Sequence, residues 1–428
     1  MKIGIIIGRI GGVDGVALET EKWIEVLQRM GHEIFIISGQ FEGRKIDCLH
    51  ETRVQEMSFF SPESYWEQKK AYFHPDYDED ELLEHLLLYA KVIEDKITDW
   101  AQKNNLDLLI SENASALPSH ISMGLAIKNA VEKLQIPTIT HDHDFAWERD
   151  DRYVSPHQKI NQIVKETFPL RLPNSYHAVI NLQAQKTLKD KFNRDSIVVP
   201  NVMDFDSPFG EITDNNKDLR KDLGLNGDDI LLFQITRIVR RKGIETAIQL
   251  IHLFNDPKIK LIITGNYADD AGSAYYMELV DLIHELKISK QVHFAYHSFS
   301  TKGFAGSANE KSYSLSDAYA HARACTYFST YEGFGNAFVE AVLAKKPIFV
   351  NNYKPVYWPD IGSKGFKTVM LEDNQITDTA LKEIQEIIYN DKLNREIGEF
   401  NYQLGKKLFS YDTLKEKLTE LIELAVKK

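Results

Sequence analysis

Two glutamates, Glu332 and Glu340, sit in the stretch of this chain best suited to chemistry. They stand eight positions apart in Thr330-Tyr331-Glu332-Gly333-Phe334-Gly335-Asn336-Ala337-Phe338-Val339-Glu340. The apolar run 324–328 before them predicts a short buried strand. Glu332 then falls on the loop at the C-terminal end of that strand, and Glu340 on the helix that follows. In open α/β sheets, ligands bind outside the carboxyl ends of the strands. A carboxylate there accepts hydrogen bonds from hydroxyls, while neighbouring glycines bare their N–H groups. Two hydroxyl readers flanking a loop of backbone donors suit a nucleotide sugar: one carboxylate for the hexose, one for the ribose, amides for the charged middle. The alternative is a pair of solvated surface charges.

This segment resembles the Glu-x7-Glu signature of retaining glycosyltransferases with the GT-B fold, especially glycosyltransferase family four (glycosyl transferases group 1). The resemblance implies that Glu332 contacts the donor sugar with the loop Gly333, Phe334, Gly335 and Asn336. It assigns Glu340 to the ribose of the nucleotide.

Thr236-Arg237-Ile238-Val239-Arg240-Arg241-Lys242-Gly243 follows another predicted strand and opens a helix. Helix N-termini attract anions, and added cations deepen the effect. A departing diphosphate needs such a place, because breaking the sugar–phosphate bond builds negative charge. The resemblance puts Arg237 and Lys242 on the diphosphate and leaves Arg240 and Arg241 as solvent-facing charges. An ordinary charged helix start is the competing reading.

Four stretches of the first half carry further candidates. Gly8-Arg9-Ile10-Gly11-Gly12-Val13-Asp14-Gly15 lies at the first strand–helix turn. Its spacing is not that of a dinucleotide fingerprint. The resemblance gives Gly11 and Gly12 to the donor phosphate, and Asp14 is expected to face the acceptor; a tight turn alone would also account for the glycines. Thr140-His141-Asp142-His143-Asp144-Phe145-Ala146-Trp147 gathers two His and two Asp in four residues. Consecutive positions on an extended segment point to opposite faces, so one compact metal site is not expected from them. The resemblance places His141 near the donor sugar and the reacting centre, beside Arg237, Lys242 and Glu332, with His143 and Asp144 as sugar or acceptor contacts. Trp147 is either a sugar-stacking wall or core. Glu112 and Asn113, at the polar end of another strand, are acceptor-hydroxyl candidates. Asn201 belongs to Pro200-Asn201-Val202-Met203-Asp204, which resembles the family's hinge, and is expected to line the cleft on the donor side.

The elements that must hold these residues follow from the apolar pattern. Strands are expected at 3–7, 33–38, 106–111, 137–141, 177–181 and 196–200, with helices at 16–30, 82–104, 119–134 and 182–192. Apolar runs alternating with amphipathic helices imply a parallel sheet. The series restarts with strands at 229–235, 259–264, 292–295, 324–328 and 347–351 and helices at 243–254 and 275–286. The expected architecture is α/β, GT-B, with two doubly wound Rossmann-like domains facing across a cleft. Residues 1–200 form the acceptor-side domain and 201–410 the nucleotide-sugar domain, with a variable linker through Asn226. A helix over 411–428 returns to the first domain.

Composition narrows the class. The chain has 428 residues and a net charge of −12, which argues against a general nucleic-acid binder and does not favour an anionic membrane surface. Cys48 and Cys325, the two cysteines, read as buried apolar residues rather than a disulfide or metal site. No run reaches the length needed to span a bilayer, and the N-terminal apolar run is too short for a signal peptide. A cytoplasmic enzyme is expected. It moves a hexose from a nucleotide-diphosphate sugar (UDP-glucose or GDP-mannose type) to a hydroxyl of a small soluble acceptor, with retention. No metal and no cofactor beyond that co-substrate is expected. A lipid or cell-envelope glycan acceptor, or a catalytically silent nucleotide-sugar-binding partner, are the alternatives.

Overall fold

A computed structural model describes residues 1–43, 50–74, 77–267, 270–299 and 312–426. Cys48 lies outside the described residues; Cys325 is buried and free. Contacts divide the chain into two compact units, Met1–Asn201 with Tyr411–Lys428, and Val202–Ser410.

The first unit is built on a sheet of β1 (Lys2–Ile10), β2 (Glu33–Phe41), β3 (His50–Arg53), β4 (Leu108–Glu112), β5 (Thr138–Asp142), β6 (Ser175–Val179) and β7 (Ser196–Val198). Their order is β3-β2-β1-β4-β5-β6-β7, and the paired strands run parallel. Ile5, Ile6 and Ile7 are all buried because helices cover both faces of such a sheet. The edge strand β3 alternates half-buried and exposed residues. It carries no apolar run, so the sequence pattern passed over it.

Local chemistry sets the helix ends. Asp14 caps Gly15–Arg29 by accepting from the Ala17 N–H. Asp78 caps Glu79–Asn104, whose first turn carries Glu79, Asp80 and Glu81, and Asn105 ends it in the left-handed region. The helix Tyr411–Val426 belongs to this unit, burying Leu414, Leu418 and Leu421. Tyr411 donates to Glu25 at 3.2 Å and lies under the Arg29 guanidinium.

The second unit holds β8 (Ile230–Gln234), β9 (Ile259–Ile263), β10 (Val292–Phe294), β11 (Ala324–Tyr327), β12 (Ile348–Asn351) and β13 (Val369–Leu371). The order is β10-β9-β8-β11-β12-β13. Order reverses about β8, the topological switch point at which doubly wound sheets take their ligands. The three-residue β13 and the helices Asp378–Tyr389 and Asp391–Phe409 add to the expected series. Two residues of the expected linker are tied to the second unit. The Gly210 N–H donates to Ser316 at 2.9 Å, and buried Asn216 donates to Asp317 at 2.7 Å. Among the described residues, no helix is long and apolar enough to cross a membrane.

Candidate functional site

In the second unit, the ends of β8 and β11 bring the two motifs together. Gly243 makes this approach feasible. Its φ is +58°, and a Cβ there would lie 2.1 Å from the Phe328 carbonyl oxygen, which no side chain tolerates. The preceding turn Arg240–Lys242 is thereby pressed against the end of β11. There the Glu332 carboxylate, 8% exposed, accepts from Lys242 through one oxygen. Through the other it accepts from Arg241 at 2.9 Å. Arg241 also donates to the Tyr331 carbonyl at 2.8 Å, and its own carbonyl accepts from the Thr330 N–H at 2.8 Å.

Burial alone would raise the Glu332 carboxyl, but the charges of Lys242 and Arg241 outweigh it and hold the group below the ordinary carboxylate range. Lys242 sits low because burial outweighs what Glu332 returns. The expectation that Arg241 merely faces solvent is therefore corrected: it braces the loop that carries Glu332. Arg240 turns away and donates through one nitrogen to both Glu278 carboxylate oxygens. Arg237 is exposed, and its charge acts on Lys242.

The loop beyond Glu332 is fixed by Tyr353, which donates to the Phe334 carbonyl at 2.8 Å. Gly335 has φ +131°, and a Cβ on it would meet the Tyr353 hydroxyl at 2.2 Å. Gly333 and Asn336 are half-buried on either side. The Phe334 ring is buried edge-on against Phe409 at 5.6 Å. What Phe334 offers a ligand is therefore its main chain. Glu340 lies half-buried in the helix Asn336–Leu343 and accepts from the buried Tyr319 hydroxyl at 2.9 Å.

In the first unit, Gly11 and Gly12 directly follow β1. Gly11 has φ +84°, and a Cβ on Gly12 would strike Glu42 at 1.9 Å. Asp14, expected to face an acceptor, is engaged as a helix cap and as the partner of Arg9 at 3.2 Å. Asn113, also an acceptor candidate, has φ +53°. Its side-chain oxygen accepts from the N–H groups of His143 at 3.0 Å and Asp144 at 3.2 Å, which makes it the brace of that turn. Asp144 pairs with Arg149. Trp147 is packed: it stacks on Phe145 at 4.4 Å and lies beneath Lys191. Asn201 is buried at the last position of the unit.

Glu112, His141 and His143 converge. The parallel register sets Glu112 beside His141, and the His141 Nδ1 lies 2.8 Å from the Glu112 carboxylate, both fully buried. Trp23 stacks on the His141 ring at 3.9 Å and 20°. Burial pushes His141 down to about 4 and Glu112 up to about 7. Burial and the neighbouring His141 ring also push His143 down. The expected dispersal of this stretch to opposite faces applies to Asp142, which accepts from Thr140 at 2.8 Å and lies 3.0 Å from the His177 Nδ1. Residues 141 and 143 are two apart and share a face.

Four residues that position these groups escaped the sequence reading. Arg241 was legible as a neighbour of Lys242. What identifies Tyr319, Tyr353 and Trp23 as positioning residues is tertiary contact.

Residues 215–404 match the family Glycosyl transferases group 1. The mannosylglucosylglycerate synthase of Petrotoga mobilis is 32% identical over 438 residues, covering 96% of this chain and 98% of the relative. That of Thermotoga maritima is 32% identical over 446 residues, covering 98% and 99%. Among solved structures, sucrose-phosphate synthase from Thermosynechococcus elongatus superposes with TM-score 0.65 at 15% identity, covering 99% and 98%. Anabaena HepE in complex with UDP and glucose gives 0.66 at 14%, covering 98% and 99%. The chain belongs to the glycosyl transferases group 1 family and is a glycosyltransferase with the GT-B fold.

Proposed function

We propose that this glycosyltransferase moves a mannosyl residue from a nucleotide-diphosphate mannose, GDP-mannose first among them, to a hydroxyl of glucosylglycerate, with retention at the transferred carbon. The observation that carries this reading is the full-length identity to two mannosylglucosylglycerate synthases. The cation–carboxylate cluster at the ends of β8 and β11 supports it.

In this reading Arg237 and Lys242 neutralise the diphosphate as negative charge develops on it, acting as preorganised charges in a partly buried site. Lys242 is released from Glu332 when the phosphates arrive. Glu332, still held by Arg241, turns its free oxygen to the sugar hydroxyls. The backbone of Gly333–Asn336 supports the sugar, and Glu340 takes the ribose. The bond from the anomeric carbon to the β-phosphate oxygen breaks. The acceptor oxygen bonds to that carbon on the same face, and its proton passes to the departing phosphate. The diphosphate needs no metal and the enzyme forms no covalent intermediate. The acceptor is small, and the enzyme acts in the cytoplasm.

Calorimetry with GDP, UDP and ADP, without added metal, tests the donor half. GDP binding that is lost in Lys242→Ala and Glu340→Ala supports the reading. Binding indifferent to both substitutions would remove the cluster from the site, and preference for another base would change the donor.

A further inference from the structure

We propose that Glu112, His141 and His143 form a binding site for a divalent transition metal of borderline softness, zinc being the type. Each residue offers one ligating atom, and the three atoms lie within 4.8 Å of one another. The sheet itself brings them together. Glu112 ends β4 opposite His141 on β5, and His143 follows on the same face as His141.

The spacing fits an ion. The Glu112 Oε2 lies 2.8 Å from the His141 Nδ1 and 3.9 Å from the His143 Nε2. Ligands about 2.0–2.1 Å from a tetrahedral ion stand roughly 3.3–3.5 Å apart, between those two separations. Small side-chain rotations close the difference. A second observation points the same way. Of these three atoms, His143 Nε2 is buried without a hydrogen-bond partner, on a side chain 7% exposed. A buried polar atom left so is costly, and an ion held between this nitrogen, Glu112 Oε2 and His141 Nδ1 would satisfy it.

Charge and support agree. Glu19 and Asp142, both buried, act on the His141 ring with negative charge. With Glu112 they make three carboxylates against the ammonium of Lys22, which pairs with Glu19 at 2.8 Å. A dication offsets that excess. The supporting shell is already in place: Trp23 holds the His141 ring, and Asn113 holds the turn at His143. Such outer contacts orient metal ligands. Two imidazoles and a single carboxylate favour zinc, cobalt or nickel over magnesium or calcium. Three protein ligands leave the fourth position to water. Uptake must displace the proton shared by His141 and Glu112, so binding releases it to solvent. The function proposed above draws no step from this ion, so the two readings fail independently.

The test uses the full chain, stripped with a chelator and titrated with Zn²⁺ by calorimetry in two buffers of different ionisation enthalpy. Co²⁺ is added in parallel for its visible spectrum. The expected result is one ion per chain with proton release and a tetrahedral-type cobalt spectrum. Affinity should fall at least about 100-fold in Glu112→Gln and His143→Ala. The exposed-histidine control His252→Ala should leave it unchanged. No stoichiometric uptake overturns the proposal, as does uptake that survives both ligand substitutions. Should the variants fail to fold, the wild-type cobalt spectrum decides. Four-coordinate absorption supports the site, and a weak six-coordinate spectrum overturns it.

Discussion

Replacing Lys242 with methionine tests whether the cluster at the ends of β8 and β11 is an energetic unit. Lys242 and Glu332 have side chains only 12% and 9% exposed, so the variant leaves a buried carboxylate without its main partner. Breaking a buried pair from one side costs about 3–5 kcal/mol. Two effects reduce this. Arg241 stays 2.9 Å from the second oxygen, but its side chain is 39% exposed, and a half-solvated pair contributes about 1 kcal/mol or less. Removing the ammonium also relieves its own burial, the force that holds Lys242 low. The expected loss is about 2–3 kcal/mol. For a unit the size of Val202–Ser410 that lowers its melting temperature by roughly 5–10 °C. The double variant Lys242→Met, Glu332→Gln should recover more than half of it, because the stranded charge is gone. Glu332 titrates below its ordinary range, so the stability it contributes is present at neutral pH. It is lost as pH falls through the depressed value, and the gap between wild type and Lys242→Met should close there. Chemical denaturation across pH reads all three quantities. A single variant within about 0.5 kcal/mol of wild type, or a double variant that simply adds the two losses, would refute the reasoning.

Gly335→Ala should destabilise the second unit by about 1–3 kcal/mol, because φ is +131° and the new Cβ meets the Tyr353 hydroxyl; a neutral effect in denaturant titration would mean that Tyr353 does not fix this loop. Tyr319→Phe removes the hydroxyl that orients Glu340. It should weaken nucleotide binding roughly fivefold, about 1 kcal/mol, with little change in melting temperature, and unchanged nucleotide affinity by calorimetry would detach Tyr319 from the site. Burial pushes Glu148 up to about 7 from an ordinary 4.5. Folding therefore favours its protonated form, a contribution complete below about 4.5 and lost as pH rises through about 7. Relative to wild type, Glu148→Gln should gain stability between pH 5 and pH 8; a difference independent of pH would count against this burial.

Much of this architecture was legible because its signals are local. The apolar runs of β1, β8 and β9 report strands buried on both faces. The sequence pattern passed over β3, whose residues His-Glu-Thr-Arg alternate at an edge, and β13, which has only three residues. Glu332 and Glu340 could be singled out from spacing and Lys242 through the family resemblance, but their partners could not. Tyr353 reaches the loop, and Tyr319 the helix that carries Glu340, from elsewhere in the fold. Asp14, Asn113 and Trp147 show structural engagements that the sequence did not single out. Asp14 caps a helix, Asn113 braces a turn and Trp147 stacks on Phe145.

The most direct test of the proposed activity is the transfer reaction itself, followed by NMR with GDP-mannose and glucosylglycerate. The account predicts a mannosylated product whose new anomeric carbon keeps the α configuration of the donor, with GDP released in equal amount and no free mannose accumulating first. A β-linked product would contradict retention. Absence of transfer from GDP-mannose, with turnover of another nucleotide sugar or acceptor in the same preparation, would contradict the substrate assignment.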